Sequence, residues 1–236
     1  MKNKFLFLVF LPLSFFAQNY IPTSAGEIVR HHYYTLSYSE DNEQAAWVYY
    51  KLTPEMVNGT YERKNDFRSD KMVATGSSKL SDYARSGYDK GHLAPANDMK
   101  ISALAMSESF FLSNTSPQTP SFNRGGLWRK LENKVNSWGK DTVIVVTGPI
   151  FKDNIGAIGS STVTVPGYFY KVIYAPSKQA MIGFLLPHVK VDKELKDCVV
   201  KVDRIEEETG IDFFPQLEDL LENQLEATVC LAEWDL

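Results

Sequence analysis

Residues 142–151, TVIVVTGPIF, are a run of β-branched side chains ended by Gly148-Pro149. A segment apolar at successive rather than alternate positions is buried on both faces, so it predicts a central strand of a sheet. Two further strands follow, STVTVPGYFYKVIYAP and QAMIGFLLPH, and the spacing of Tyr168, Tyr170 and Val172 predicts one solvated face there. Upstream, residues 33–38 and 46–52 are aromatic and β-branched runs separated by the polar SEDNEQ, the pattern of a hairpin or of two neighbouring strands. Helical signals are segregated from these. Residues 102–114 predict a short helix or compact loop. Residues 123–139 carry Leu127, Leu131, Val135 and Trp138 near helical spacing and close at Gly139. Two more helical stretches follow, one ending at Gly210 and one spanning PQLEDLLENQLEA. Strands mixed with segregated helices predict an α+β fold, a central antiparallel sheet flanked by helices.

The first seventeen residues stand apart from that pattern. Lys2 and Lys4 precede an apolar run over residues 5–16, and Ala17 offers a small residue for cleavage. That is the layout of a secretory signal peptide, and the run is short for a membrane span. The expected organisation is a signal at 1–17, a linker at 18–30 and one domain over 31–236, exported to the periplasm or the medium. In an oxidising compartment Cys198 and Cys230 are candidates for a disulfide, and neither has the spacing of a metal or redox motif. Without Lys2 and Lys4 the 25 basic residues fall to 23 against 29 acidic ones, a net charge of −6. Global charge therefore does not hold this protein to nucleic acid. Its distribution is uneven: residues 63–134 carry twelve Lys/Arg against seven Asp/Glu, while residues 203–235 carry eleven acidic residues and only Arg204. A basic central segment permits a phosphate-binding face without requiring one.

The chain has four histidines. His31 and His32 are adjacent, point opposite ways on a strand and make poor joint ligands, so both read as surface or packing residues. His188 follows a proline at a strand end and has no evident role. His92, in GYDKGHLAPANDM, is different. Lys90 shares its side of a strand, and Gly91 lets a bulky backbone approach closely. Phosphodiester hydrolysis needs a base for water and neutralisation of phosphate charge, and a neutral-range imidazole suits the first task. A hydrated divalent cation held by few protein oxygens suits the second. Asn114, Gln118 and Asn123 supply three amides just before the predicted helix, on which Glu132 also lies. The plain alternatives are a core histidine bonded to a carbonyl and an Asn123 that merely caps the helix.

These residues carry a resemblance. DKGHLAPANDM, then NTSPQTPSFNRG, then Trp128 and Leu131-Glu132, resemble the DNA/RNA non-specific endonuclease family with its ββα-metal (His-Me finger) site, whose motif is commonly written DRGH. RKNDFRSD, VVTGPIF, VPGYFYKVI and IEEETGIDFFPQL resemble family segments too, so the similarity covers most of the chain. It implies His92 as general base, Asn123 as the direct metal ligand and Glu132 acting on the metal's water shell. Lys90 and Arg63 would act on the phosphate, Asn114 would support the geometry or polarise the phosphate, and Gln118 would hold the loop. The implied cofactor is Mg²⁺, or Mn²⁺ in its place. The implied substrates are DNA and RNA cut with little sequence preference to 5′-phosphate and 3′-hydroxyl ends, and some relatives form homodimers.

Two departures bear on that assignment. Lys90 stands where the family usually has arginine, keeping the charge and losing the planar fork. Asn123 and Glu132 are nine residues apart, one more than is common in the family. At about 100° per residue a regular helix would turn roughly 900° between them and set them on opposite faces, unless Gly125-Gly126 breaks it. Two other functions fit the same residues: a ββα-metal phosphodiesterase for small esters, and a catalytically weak secreted nucleic-acid-binding protein.

Overall fold

The structure, a computed structural model, describes residues 20–236, and the predicted signal peptide lies outside the described residues. In chain order the elements are β1 (Glu27–Arg30), β2 (Thr35–Ser39), β3 (Gln44–Leu52), α1 (Pro54–Val57), α2 (Leu80–Tyr83), β4 (Asp89–His92), α3 (Ala103–Ser109), β5 (Thr115–Gln118), α4 (Pro120–Asn123) and α5 (Leu127–Trp138). They continue with β6 (Val143–Ile158), β7 (Val163–Ala175), β8 (Ala180–Pro187), β9 (Val199–Val200), α6 (Val202–Thr209) and α7 (Asp219–Glu226). A seven-stranded sheet in the order β1-β2-β3-β6-β7-β8-β9 pairs antiparallel throughout, and β4 and β5 form a separate two-stranded ribbon. The expected α+β architecture is present. The linker expected at 18–30 is shorter than read, because its last four residues are the edge strand β1.

Both faces of the large sheet are covered. One carries Val48, Tyr50, Val145, Phe169 and Ile173, packed against Trp128, Leu131 and Val135 of α5. The other carries Trp47, Val146, Tyr170, Val172 and Tyr174, packed against Val202, Ile205, Phe213, Phe214 and Leu225. This corrects the solvated face expected on β7: Tyr170 and Val172 are fully buried, and of the three only Tyr168 is exposed. The alternation was real, but α6, α7 and the segment between them bury the second face. Tertiary cover, not strand pattern, decides solvation.

The candidate disulfide is also corrected. Both cysteines are free; Cys198 sits in the core beside Leu195, whereas Cys230 lies exposed ahead of the last helical turn. One cysteine is buried and the other exposed, and no bond joins them.

The helix expected over 123–139 begins four residues late. Asn123 is the last residue of α4, and the chain leaves helical geometry at Gly126 (φ −84°, ψ −167°) before α5 starts at Leu127. The break resets the helical phase, so the nine-residue spacing no longer sets Asn123 and Glu132 on opposite faces. A Cβ at Gly126 would lie 2.6 Å from the Ser121 carbonyl oxygen, whereas one at Gly125 meets nothing within 4 Å. Gly126→Ala is expected to cost about 1–3 kcal/mol and to displace Asn123, while Gly125→Ala stays within about 0.5 kcal/mol. Denaturant unfolding of the two variants checks this, and equal stabilities would contradict it.

Candidate active site

The ribbon fixes the histidine. β4 pairs with β5 in the register Asp89↔Gln118, Lys90↔Pro117, Gly91↔Ser116 and His92↔Thr115. The close neighbour that Gly91 admits is the Gln118 side chain, whose Oε1 would sit 2.1 Å from any Cβ there. Gln118 is fully buried and takes no part in the cleft. Beyond β4 the chain is stapled by Asn114. Its Oδ1 accepts from the Ala94 N–H at 2.9 Å, and its Nδ2 donates to the carbonyls of Ala94 (2.9 Å) and Ser109 (2.8 Å). Of the two roles expected for Asn114, geometry alone fits. The amide is fully buried, and its hydrogen bonds go to backbone groups and not into the cleft.

Arg63, Lys90, His92, Asn123, Arg124, Arg129 and Glu132 come together around a cleft of about 310 Å³. His92 packs edge-on against Phe110 at 4.8 Å and tilted against Phe67 at 5.3 Å, with Nε2 buried and unpartnered. Burial, reinforced by the guanidinium groups of Arg63 and Arg129, holds the imidazole far below the ordinary histidine range, at about 3. At neutral pH it is uncharged and able to accept a proton. Arg63 is exposed, reaches over the Phe110 ring at 5.0 Å and donates to Asn65 at 3.0 Å. The Lys90 ammonium stands 5.0 Å from the Phe67 ring.

Asp89 orients Asn123. The Asn123 Nδ2 donates to Asp89 Oδ2 at 2.9 Å. A carboxylate only accepts, so the group at the other end of the amide must be Oδ1. That oxygen has no hydrogen-bond partner among the described residues and belongs to the cleft wall. Asp89 is itself gripped by both sides of the Arg124 fork, with Nε donating to Oδ2 at 2.7 Å. Hydrogen bonds from Arg124 and Asn123 keep the Asp89 carboxyl ionised, below its usual range. Glu132 lies one helical turn beyond Arg129, which approaches it at 3.5 Å. Burial pushes the Glu132 carboxyl up, and Lys171 and Arg129 oppose that rise. An amide oxygen plus one carboxylate, both hard oxygen donors and few in number, fit a divalent cation that keeps most of its water shell.

Lys171 lies beneath this site, fully buried, with Nζ donating to the Leu93 carbonyl at 3.2 Å and to Thr147 Oγ1 at 3.0 Å. It sits 4.4 Å from the Trp128 ring and so ties the residue after His92 to the sheet and to α5. His188 is not incidental: its Nδ1 faces the Pro166 carbonyl at 2.7 Å and its Nε2 accepts the Thr119 N–H at 2.8 Å, bracing the start of α4. His31 and His32 diverge as expected, toward Asp70 and Glu108, and neither reaches the cleft. Sequence reasoning left Asp89, Arg129 and Lys171 without roles, although each had a signal. Asp89 opens the DKGH motif, Arg129 stands three residues before Glu132, and Lys171 is a lone charge in an apolar strand.

A two-stranded ribbon delivering a neutral histidine against a helix that presents oxygens, in a basic cleft, is the ββα-metal arrangement of nucleases. Comparison with known proteins agrees. The sequence profile described as DNA/RNA non-specific endonuclease matches residues 14–220. Nuclease C1 of Cunninghamella echinulata var. echinulata is 35% identical over 231 residues, covering 89% of this chain and 91% of that one. Human mitochondrial endonuclease G is 34% identical over 203 residues, covering 78% and 68%. The crystal structure of the EndoG/EndoGI complex superposes with a TM-score of 0.75 at 31% identity over 82% of this chain and 88% of that one. The chain belongs to the DNA/RNA non-specific endonuclease family.

Proposed function

We propose that the protein is an exported, Mg²⁺-dependent endonuclease that hydrolyses DNA and RNA with little sequence preference. The observation that carries this reading is the meeting of neutral His92 with the free Asn123 oxygen in one cleft lined by Arg63, Lys90, Arg124 and Arg129. His92 takes a proton from water as that water attacks phosphorus. The P–O3′ bond breaks, the departing O3′ takes a proton from solvent water, and the products are a 5′-phosphate and a 3′-hydroxyl. Arg63, Lys90 and Arg129 neutralise the phosphate oxygens. Asn123 would hold the metal directly and Glu132 would hold it through water, and the cation would supply positive charge for the departing oxygen. Contacts of this kind go to phosphate, which carries no sequence information, and a water nucleophile leaves the 2′-hydroxyl idle. Export rests on the Lys2–Ala17 segment.

Purified protein is expected to digest plasmid DNA and RNA in Mg²⁺ or Mn²⁺, to stop on addition of EDTA, and to leave a small chromogenic diester nearly untouched. Faster turnover of the small ester would assign a phosphodiesterase instead, and no cleavage in any metal would leave a binding protein.

A further inference from the structure

The acidic C-terminal region has no part in the nuclease cleft. On α6, Asp203 and Glu206 are three residues apart; on α7, Glu222 and Glu226 are four apart, so each helix gathers its pair on one face. The helices pack against each other beside β8, and one carboxylate oxygen each of Asp203, Glu206 and Glu226 lies within 4.8 Å of the others. Glu226 is 6% exposed, and its Oε1 is buried with no hydrogen-bond partner. Oε1 of Glu222 is buried and unpartnered too. Glu206 already spends Oε1 on the Phe213 N–H at 3.0 Å.

Among the described residues no side-chain cation pairs with Asp203, Glu206, Glu222 or Glu226. Burial, reinforced by the like charges of Glu206, Glu222, Asp212 and Asp203, pushes the Glu226 carboxyl up to about 8. Arg204 turns outward to Glu207 and Glu208, and Lys152 pairs with Glu208. A buried carboxylate with only like charges around it is strongly unfavourable unless a proton or a metal ion joins it.

We propose that α6 and α7 bind a structural Ca²⁺ ion between Asp203, Glu206 and Glu226, with Glu222 beside them, at a site separate from the catalytic centre. The donors are all carboxylate oxygens, as a hard cation requires. Three or four protein carboxylates suit Ca²⁺, which takes many oxygen ligands in flexible geometry, whereas Mg²⁺ keeps several waters and is held by one or two carboxylates. The ion would fasten the C-terminal helices over Phe213, Phe214 and Leu225, and so act on stability and not on phosphodiester chemistry.

The test uses the full-length Asn123→Ala protein, so that the proposed nuclease metal ligand does not compete. Calorimetric titration with CaCl₂ is expected to show one ion per chain with half-saturation at or below about 1 mM. At saturation the thermal midpoint should rise by about 5 °C. Adding Glu206→Gln and Glu226→Gln, which keep shape and remove charge, should abolish both responses while leaving the calcium-free midpoint unchanged or higher. The same pair in the otherwise unaltered chain should keep Mg²⁺-dependent nuclease activity within about twofold. Absence of binding in Asn123→Ala, persistence of binding in the Gln pair, or an equal response to Mg²⁺ would each overturn the proposal.

Discussion

Replacing His92 with alanine is expected to lower kcat/KM on plasmid DNA by about 10²- to 10⁴-fold, the usual contribution of a positioned general base. The fold should persist, because the ring makes no protein hydrogen bond through Nε2 and its loss empties one corner between Phe67 and Phe110. Unchanged circular dichroism with lost activity is the expected pair of results; a variant cutting within tenfold of the parent would remove His92 from the role of base. The acid limb of the parent's rate separates two groups. His92 is held far below the ordinary histidine range, so it stays unprotonated through mildly acidic pH. Glu132 is displaced the other way, upward by burial, so it takes up a proton first as pH falls. Activity should therefore decline on the acid side through Glu132, and the decline should move to lower pH as divalent metal is raised, since a cation favours the carboxylate. In Glu132→Gln that metal-dependent movement should vanish. A limb near the ordinary histidine value, indifferent to metal concentration, would reverse the assignment.

The second large effect concerns a residue that does not line the cleft. Asp89→Ala is expected to raise the metal concentration for half-maximal activity by about 10- to 100-fold, as loss of a ligand's orienting partner commonly does. The carboxylate decides which end of the Asn123 amide is presented, and without it Nδ2 and Oδ1 can exchange places. Arg124, freed from both carboxylate oxygens, would also swing and place a positive charge near the ligand. Activity at saturating metal should recover most of its value, which distinguishes misorientation of a ligand from loss of the base. A fall in kcat with unchanged metal dependence would count against this role for Asp89.

The expected disulfide and solvated strand face failed for one reason: each depended on what lies across a gap in sequence. Nothing in residues 168–172 announces that α6 and α7 cover their second face, and nothing at Cys198 or Cys230 says which way each thiol points. Asn114 was legible as a site-region amide but not as a staple, because the groups it bonds are the backbones of Ala94 and Ser109. Lys171 was overlooked since its partners, Leu93 and Thr147, are 78 and 24 residues away.

The sequence by itself determined the central strands, the antiparallel α+β architecture and the residue types of the nuclease cleft, since hydrophobic period and side-chain chemistry are local properties. Only the tertiary structure decided which polar atoms remain free: the Asn123 oxygen turned out by Asp89, the histidine kept neutral between arginines, and the carboxylates crowded between α6 and α7. Those states depend on burial and on partners distant along the chain, and both exist only once the chain has folded.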